Sequence, residues 1–267
     1  MTKQLFAERV ARELNGTVKT TEKANGVVLT GVAVGDGELK TLYYIDDYYE
    51  GGNNINETVE YIKDDMSKRN VPNLEDINDI TVFENIKDKI RVRLYNKKTN
   101  AEVYKSAKEY GFSDLIIVPY IENIIANGSI KITQGLLNIW NKTAENIIEI
   151  GFENCKNDGY EIENISDVLR MITAAYDYKE DIPDLPDLFV LTNRNKMFGS
   201  IGAIIMKDVL KEKFGTYAVI PSSIHEVLIY STILEDDQMK RMNNIIDSVN
   251  NTNVLPEDYL GSSAYIF

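Results

Sequence analysis

Residues 17–34 read TVKTTEKANGVVLTGVAV, and how they are read decides the fold. Asn25-Gly26 between two β-rich runs is a hairpin signal, because both residues tolerate the positive φ that a two-residue turn demands. TVKTTEKA alternates in part, and VVLTGVAV is the returning strand. Upstream, Leu5, Phe6, Val10 and Leu14 recur at helical spacing, which predicts a helix over 3–14 stopped by Asn15-Gly16, with Gly in the left-handed position. Downstream, past the Gly35-Asp36-Gly37 turn, LKTLYYIDDYYE reads as a third β-rich run that ends at Gly51-Gly52. A helix over 57–69 follows, capped by Asn56 or a neighbour, with Val59, Ile62 and Met66 on one face. The order α-β-β-β-α, with antiparallel strands against helices, makes an α+β module of the first seventy residues.

The remaining chain extends that architecture. KIRVRLYN alternates Ile90, Val92 and Leu94 with Lys89, Arg91 and Arg93, so a half-buried strand with a basic outer face is expected. DLIIVPYIE suits a central strand, and SIKIT leads into QGLLNIWNKTAENIIEIGFENC, which reads as largely helical. Residues 176–188, YDYKEDIPDLPDL, are acidic and contain two prolines, as a linker or long surface loop would. Beyond them runs an alternating α/β segment: strand LFVLTN, helix IGAIIMKDVLKEKFG, strand YAVIPSS or HEVLIY, helix DDQMKRMNNIIDSVN and a terminal strand AYIF. The expected division is an α+β region over 1–175, as one unit or as modules 1–70 and 80–175, followed by a subdomain over 189–267.

The stretches FVLTN, GSIGAIIM, IPSSIHEVLI and VNNTNVLPEDYLGSSAYIF resemble the C-terminal signature of an uncharacterised bacterial domain-of-unknown-function family. In that family a V-L-T-N strand, a G-A helix and an L-P-S-S-x-H-E segment recur in this order. NGVVLTGVAV and LYYIDDYYEGG are similar to its opening, so the resemblance spans nearly the whole chain. Ile220 stands where the family has Leu, and Ser200 is an extra residue between Gly199 and Ile201. The resemblance implies the order of elements and supplies no activity.

Composition excludes several classes of function. At 43% hydrophobic and 27% charged residues, the 267-residue chain is ordinary globular material. Its start lacks a signal-peptide apolar run and no stretch is apolar for the length of a membrane span, so a cytoplasmic protein without membrane contact is expected. Cys155 and His225 are each the sole residue of their type. They cannot form a disulfide, a Cys/His zinc centre or an iron–sulfur cluster. No cofactor or metal is expected, with carboxylate-bound magnesium or calcium left open. Cys155, in register with Ile147, Ile148 and Gly151, reads as a buried small hydrophobe. The formal charge is −13, and residues 151–267 carry 19 Asp/Glu against 10 Lys/Arg. Such a field repels phosphate backbones, so direct nucleic-acid binding is not expected. An acidic surface can instead occupy a basic cleft of a protein partner, as an inhibitor or nucleic-acid mimic would.

IPSSIHEV, residues 220–227, holds the one histidine. Catalysis there would need the Ser223 hydroxyl hydrogen-bonded to the His225 imidazole and a carboxylate on the other ring nitrogen. On a strand, Glu226 points away from His225. A distant acid such as Asp187 or Asp258 could serve, and nothing in the sequence selects one. At a helix start, Ser223 and Glu226 would instead form a capping box. His225 is expected to be a junction residue, partly buried, with a fixed hydrogen bond toward the Thr192-Asn193 turn; the hydrolase arrangement of Ser223 and His225 is the alternative. In YYIDDYYE, an extended chain places Tyr44, Asp46 and Tyr48 on one face and Tyr43, Asp47 and Tyr49 on the other. Packing, a tyrosine-rich protein interface and a carboxylate site are the readings open to these six residues. Gly199-Ser200-Ile201-Gly202 fits neither nucleotide fingerprint and reads as close helix packing. The chain as a whole is expected to be a non-enzymatic interaction or regulatory protein.

Overall fold

The computed structural model describes residues 1–35, 40–68, 79–98, 101–122, 128–175, 184–232, 254–261 and 263–267. Thr2 starts the first helix, α1 (Lys3–Glu13), by accepting the Leu5 amide at 3.3 Å. The helix buries Phe6, Ala7, Val10 and Ala11. Asn15, at φ 49°, takes the left-handed position beyond it. Gly16 has a different duty: a Cβ there would lie 2.8 Å from the Ala33 carbonyl oxygen and 2.9 Å from Val32 Cγ1. The hairpin of β1 (Thr17–Glu22) and β2 (Val28–Val34) is closed by Ala24–Gly26 inside the Lys23 amide to Val27 carbonyl bond, a longer loop than the two-residue turn expected, with Asn25 and Gly26 both at positive φ.

β3 (Thr41–Tyr44) completes this sheet, β1-β2-β3, and stops earlier than the sequence suggests. The Ile45 amide still bonds the Thr30 carbonyl at 2.9 Å, but the chain then turns into α2 (Asp46–Glu50). The fully extended reading of 43–50 is therefore corrected. α3 (Ile55–Lys68) starts on Asn54, whose Oδ1 accepts the Glu57 amide while the Glu57 carboxylate accepts the Asn54 amide, both at 3.0 Å. This is a capping box. Val59 and Ile62 meet Phe6, Val10, Val32 and Ile45 in the first core.

The second sheet is β4 (Ile90–Asn96), β6 (Leu115–Glu122) and β5 (Lys105–Ser106), with β7 (Ser129–Lys131) paired to β6. A short α4 (Phe83–Ile86) precedes it. Two helices follow, α5 (Gln134–Trp140) and α6 (Ala144–Lys156), separated by Asn141 in the left-handed conformation at φ 51°. α6 lies on the face carrying Val92: a Cβ at Gly151 would sit 2.6 Å from Val92 Cγ1, and Cys155 Sγ accepts the Val92 amide at 3.4 Å. Trp140 closes the far side, its indole N–H donating to the Ile80 carbonyl at 3.0 Å.

The third sheet runs β12 (Tyr265–Ile266), β10 (Ala218–Ile220), β11 (Val227–Tyr230), β9 (Leu188–Asn193), β8 (Tyr160–Asn164), antiparallel throughout. α7 (Ile165–Ala175) follows β8, and α8 (Gly202–Ile205) with α9 (Lys207–Phe214) separates β9 from β10. The α+β class holds. YAVIPSS and HEVLIY supply one strand each, so 222–226 is the turn between them and not a helix entry. β8 lies before residue 176 and pairs with β9, so this sheet draws on both sides of the division expected at 176–188. Of that stretch, 176–183 lie outside the described residues. The rest is fastened: Ser166 Oγ accepts the Leu185 amide at 2.8 Å, and the Asp187 carbonyl accepts the Ser231 amide at 2.9 Å. The helix expected at DDQMKRMNNIIDSVN also lies outside the described residues. The second and third sheets share one core, in which Leu94, Phe112 and Ile148 meet Leu191, Val219 and Ile229.

Candidate functional site

The turn 222–226 is stitched to two other segments by its own backbone. The Ser222 carbonyl accepts the Leu260 amide at 3.2 Å, and the Ile224 amide donates to the Asp258 carbonyl at 2.9 Å. On the other side, the His225 carbonyl accepts the Gly199 amide at 2.8 Å and the Thr192 hydroxyl at 2.9 Å. Thr192 does meet His225, through the backbone carbonyl and not through the imidazole. Gly199 is required by this approach, since a Cβ would fall 2.5 Å from the Asn193 amide nitrogen and 2.8 Å from the His225 oxygen. Gly202 packs as tightly, its missing Cβ 2.6 Å from the Tyr160 ring. The GSIG segment is close packing, as its residue types suggest.

The Ser223 and His225 side chains are engaged within and around the turn. Ser223 Oγ accepts the amides of His225 at 3.1 Å and Glu226 at 3.3 Å, and donates its proton to Glu226 Oε1 at 2.8 Å. A hydroxyl has one proton and two acceptor sites, and all three are used. Of a capping box only the Glu226 amide to Ser223 hydroxyl bond is present; the Glu226 carboxylate meets the Ser223 hydroxyl and not its amide, and the group closes a turn. The Phe198 amide donates to His225 Nδ1 at 3.2 Å, which makes Nδ1 an acceptor and places the neutral ring's proton on Nε2. Nε2 faces Asp258 Oδ2 at 3.3 Å. Of the two acids the sequence leaves open, Asp258 meets the imidazole, whereas Asp187 lies 3.3 Å from the Ser231 hydroxyl. Among the described residues no hydrogen bond joins Ser223 to the His225 ring.

A column of planar groups leads away from the imidazole. The His225 and Phe198 rings are 5.1 Å apart, and the Arg93 guanidinium sits 3.3 Å above the centre of Phe198 and 4.2 Å from that of Tyr120. Tyr120 stacks on Tyr95 at 5.9 Å. Arg93 is only 3% exposed and bonds Glu122 through Nη2 at 2.9 Å. Arg91 reaches Asp158 through Nε at 2.9 Å. The two arginines of the basic outer face expected for β4 are thus covered and internally paired, while Lys89 is exposed. Alternation reveals which residues share a face, but not what a distant segment lays over it.

This column borders a cleft of about 540 Å³ where three parts of the fold meet. The hairpin contributes Glu22 and Lys23, the second sheet Tyr95, Tyr120 and Lys131, and the C-terminal segment Glu257 and Asp258. Asn25 holds the hairpin to that segment, its Nδ2 lying 2.9 Å from the carbonyl oxygens of both Pro256 and Tyr259. Burial lowers the Lys131 pKa, with the nearby Glu102 charge opposing the shift. Neither Ser223 nor His225 lines the cleft. Lys131 and Asn25 escape sequence reasoning: nothing in SIKIT or KANG signals partners contributed by other segments.

The tyrosine–aspartate run lies elsewhere. Tyr43 is buried in the first core, and Asp46, 6% exposed, accepts the Thr30 amide at 2.8 Å and Lys3 Nζ at 2.6 Å. Tyr49 donates to the Met1 carbonyl at 2.7 Å, and Lys23 Nζ lies 4.3 Å from the Tyr44 ring centre. Tyr48 packs on Tyr61, and burial, reinforced by that neighbour, raises its pKa to about 12. Asp47 is exposed. Among the described residues no group of three His, Cys, Asp or Glu is placed to hold a metal, and no helix is long and apolar enough to cross a membrane.

A family model matches residues 2–267, and the chain belongs to this family of unknown function, DUF5688. No curated protein and no solved structure matches it.

Proposed function

We propose that this member of the DUF5688 family is a non-enzymatic protein-interaction or regulatory protein of the cytoplasm. The observation that carries the reading is the commitment of Ser223: its proton and both acceptor sites are engaged by Glu226 and two backbone amides, leaving no nucleophile for His225 to activate. The surface offered to a protein partner includes half-buried Tyr44 and Tyr48 with exposed Asp47 and Tyr61, since tyrosines supply large contact area at low entropic cost. The finer reading is an acidic inhibitor or nucleic-acid mimic. Its support is the 19-to-10 excess of acid over base in residues 151–267, together with the use of Arg91 and Arg93 on internal carboxylates. Binding to a nucleic-acid enzyme that did not weaken as salt rose would remove that finer reading.

One observation favours a hydrolase as the second reading: Asp258 both faces His225 and lines the cleft. His225→Ala and Ser223→Ala separate the two. In the binding reading the wild type turns over no ester, phosphoester or nucleotide. Both variants then lose about 1–3 kcal/mol of stability, because His225→Ala leaves one part-buried amide and Ser223→Ala two without their acceptor. Turnover by the wild type that either variant abolishes while remaining folded would overturn it.

A further inference from the structure

Among the described residues, several charged groups that line the junction cleft form no ion pair. Pairing across β6 and β7 sets Lys131 opposite Tyr120, so the two side chains share the face that floors the cleft. Lys131 is half-buried, and among the described residues its ammonium has no ion pair; nor does that of Lys23, which rests against the Tyr44 ring. Half-burying an ammonium that forms no ion pair is unfavourable, and this burial, partly opposed by the Glu102 charge, lowers its pKa. Glu22 and Glu257, which also line the cleft, likewise have no ion pair among the described residues, whereas Asp258 is engaged by His225. Tyr95 and Tyr120 stack on each other, and both line the cleft. Each phenol carries one O–H that can donate to a bound carboxylate.

We propose that this cleft binds a small zwitterion of the short-peptide class, its carboxylate held by Lys131, Lys23 and the tyrosine pair, and its amine by Glu22 and Glu257. Unpaired charges of both signs oppose a bare phosphate, which would meet the carboxylates, as well as a simple amine, which would meet the lysines. A volume of about 540 Å³ is within the range of small-ligand pockets, about 300–1,000 Å³, and has room for two or three residues of extended chain. The inference goes beyond the non-enzymatic reading and does not depend on it.

Calorimetric titration of the full chain tests it with tri-alanine bearing free termini, its C-terminal amide, its N-acetyl form and inorganic phosphate. The free peptide binds, and each blocked form binds about tenfold more weakly, the loss expected for one partly desolvated charge pair. Lys131→Met reduces the free peptide to the affinity of the amide and leaves the amide unchanged; Glu257→Gln does the same for the N-acetyl form. Relief of the desolvated ammonium keeps Lys131→Met folded, which its melting temperature verifies. No binding of the free peptide at millimolar concentration, equal affinities for the three forms, tighter binding of phosphate, or a wild-type response from folded Lys131→Met overturns the proposal. Cleavage of the bound peptide would support the site and overturn the non-enzymatic reading instead.

Discussion

The backbone amide of Phe198 donates to Nδ1 of His225 across 3.2 Å. Phe198 holds the left-handed conformation, φ 58°, that presents this amide, and its ring is tilted against the imidazole at 5.1 Å and carries the Arg93 guanidinium 3.3 Å from its centre. A bulky residue at positive φ is unusual and persists only where the surroundings hold it. Here the holding comes from Gly199, whose own amide bonds the His225 carbonyl. The histidine is the acceptor that fixes the strained turn between β9 and α8, and its lone pair is spent doing so.

Gly199→Ala therefore disrupts the junction at its narrowest point. A methyl group 2.5–2.8 Å from the Asn193 amide, the Thr192 hydroxyl and the His225 carbonyl meets two backbone atoms. The backbone must shift, at a cost of about 1–3 kcal/mol for overpacking. Urea denaturation measures the loss, and a variant as stable as the wild type would show that the segments are not held this closely.

Asp46 anchors the first module in the same manner. Asp46→Ala strands the Thr30 amide, at about 1–3 kcal/mol, while Asp46→Asn keeps an acceptor and loses less. The pH dependence has a definite sign. Lys3 is raised above 10.5, first by its hydrogen bond to Asp46, and Tyr48 is raised from 10.0 to about 12 by burial. Both folded values exceed the unfolded ones, so the stabilisation is complete below pH 10 and is lost as pH climbs through the folded values. Spectrophotometric titration of tyrosinate checks this: a component titrating near pH 12 is expected, and uniform titration of all tyrosines near pH 10 would contradict it.

Much of this module is legible in the sequence because its signals are local. Asn25-Gly26 turns the hairpin, helical spacing places Phe6 and Val10 on the core, and Val59 and Ile62 face the same way. What escapes is set by distance along the chain. The end of β3 depends on Asp46 finding Lys3 and the Thr30 amide, which no pattern within 43–50 contains. The cover over Arg93 comes from Phe198, and the partner of His225 comes from position 258. Among the candidate residues, the sequence leaves Ser223 and His225 open to two readings; only the count of bonds at each atom separates them.

Cys155 gives a chemical readout of the contact between α6 and β4. Burial raises the thiol to about 12, against the opposing bond from the Val92 amide. The thiolate is the reactive form, so in native protein at pH 8 this one cysteine should resist a disulfide reagent for as long as the chain stays folded, and react at once in denaturant. Rapid stoichiometric labelling of the native protein would mean that α6 does not cover the thiol.

The central claim is that His225 is a fixed structural acceptor, and its being the sole histidine makes the direct measurement unambiguous. Two-bond proton–nitrogen correlation of the ¹⁵N-labelled protein, at a pH where the ring is neutral, reports which nitrogen carries the proton. The account predicts a single Nε2–H tautomer with an unprotonated Nδ1, retained in Ser223→Ala. An Nδ1–H tautomer, or nitrogen shifts averaged between the two forms, would leave Nε2 free to act as a base and would contradict it.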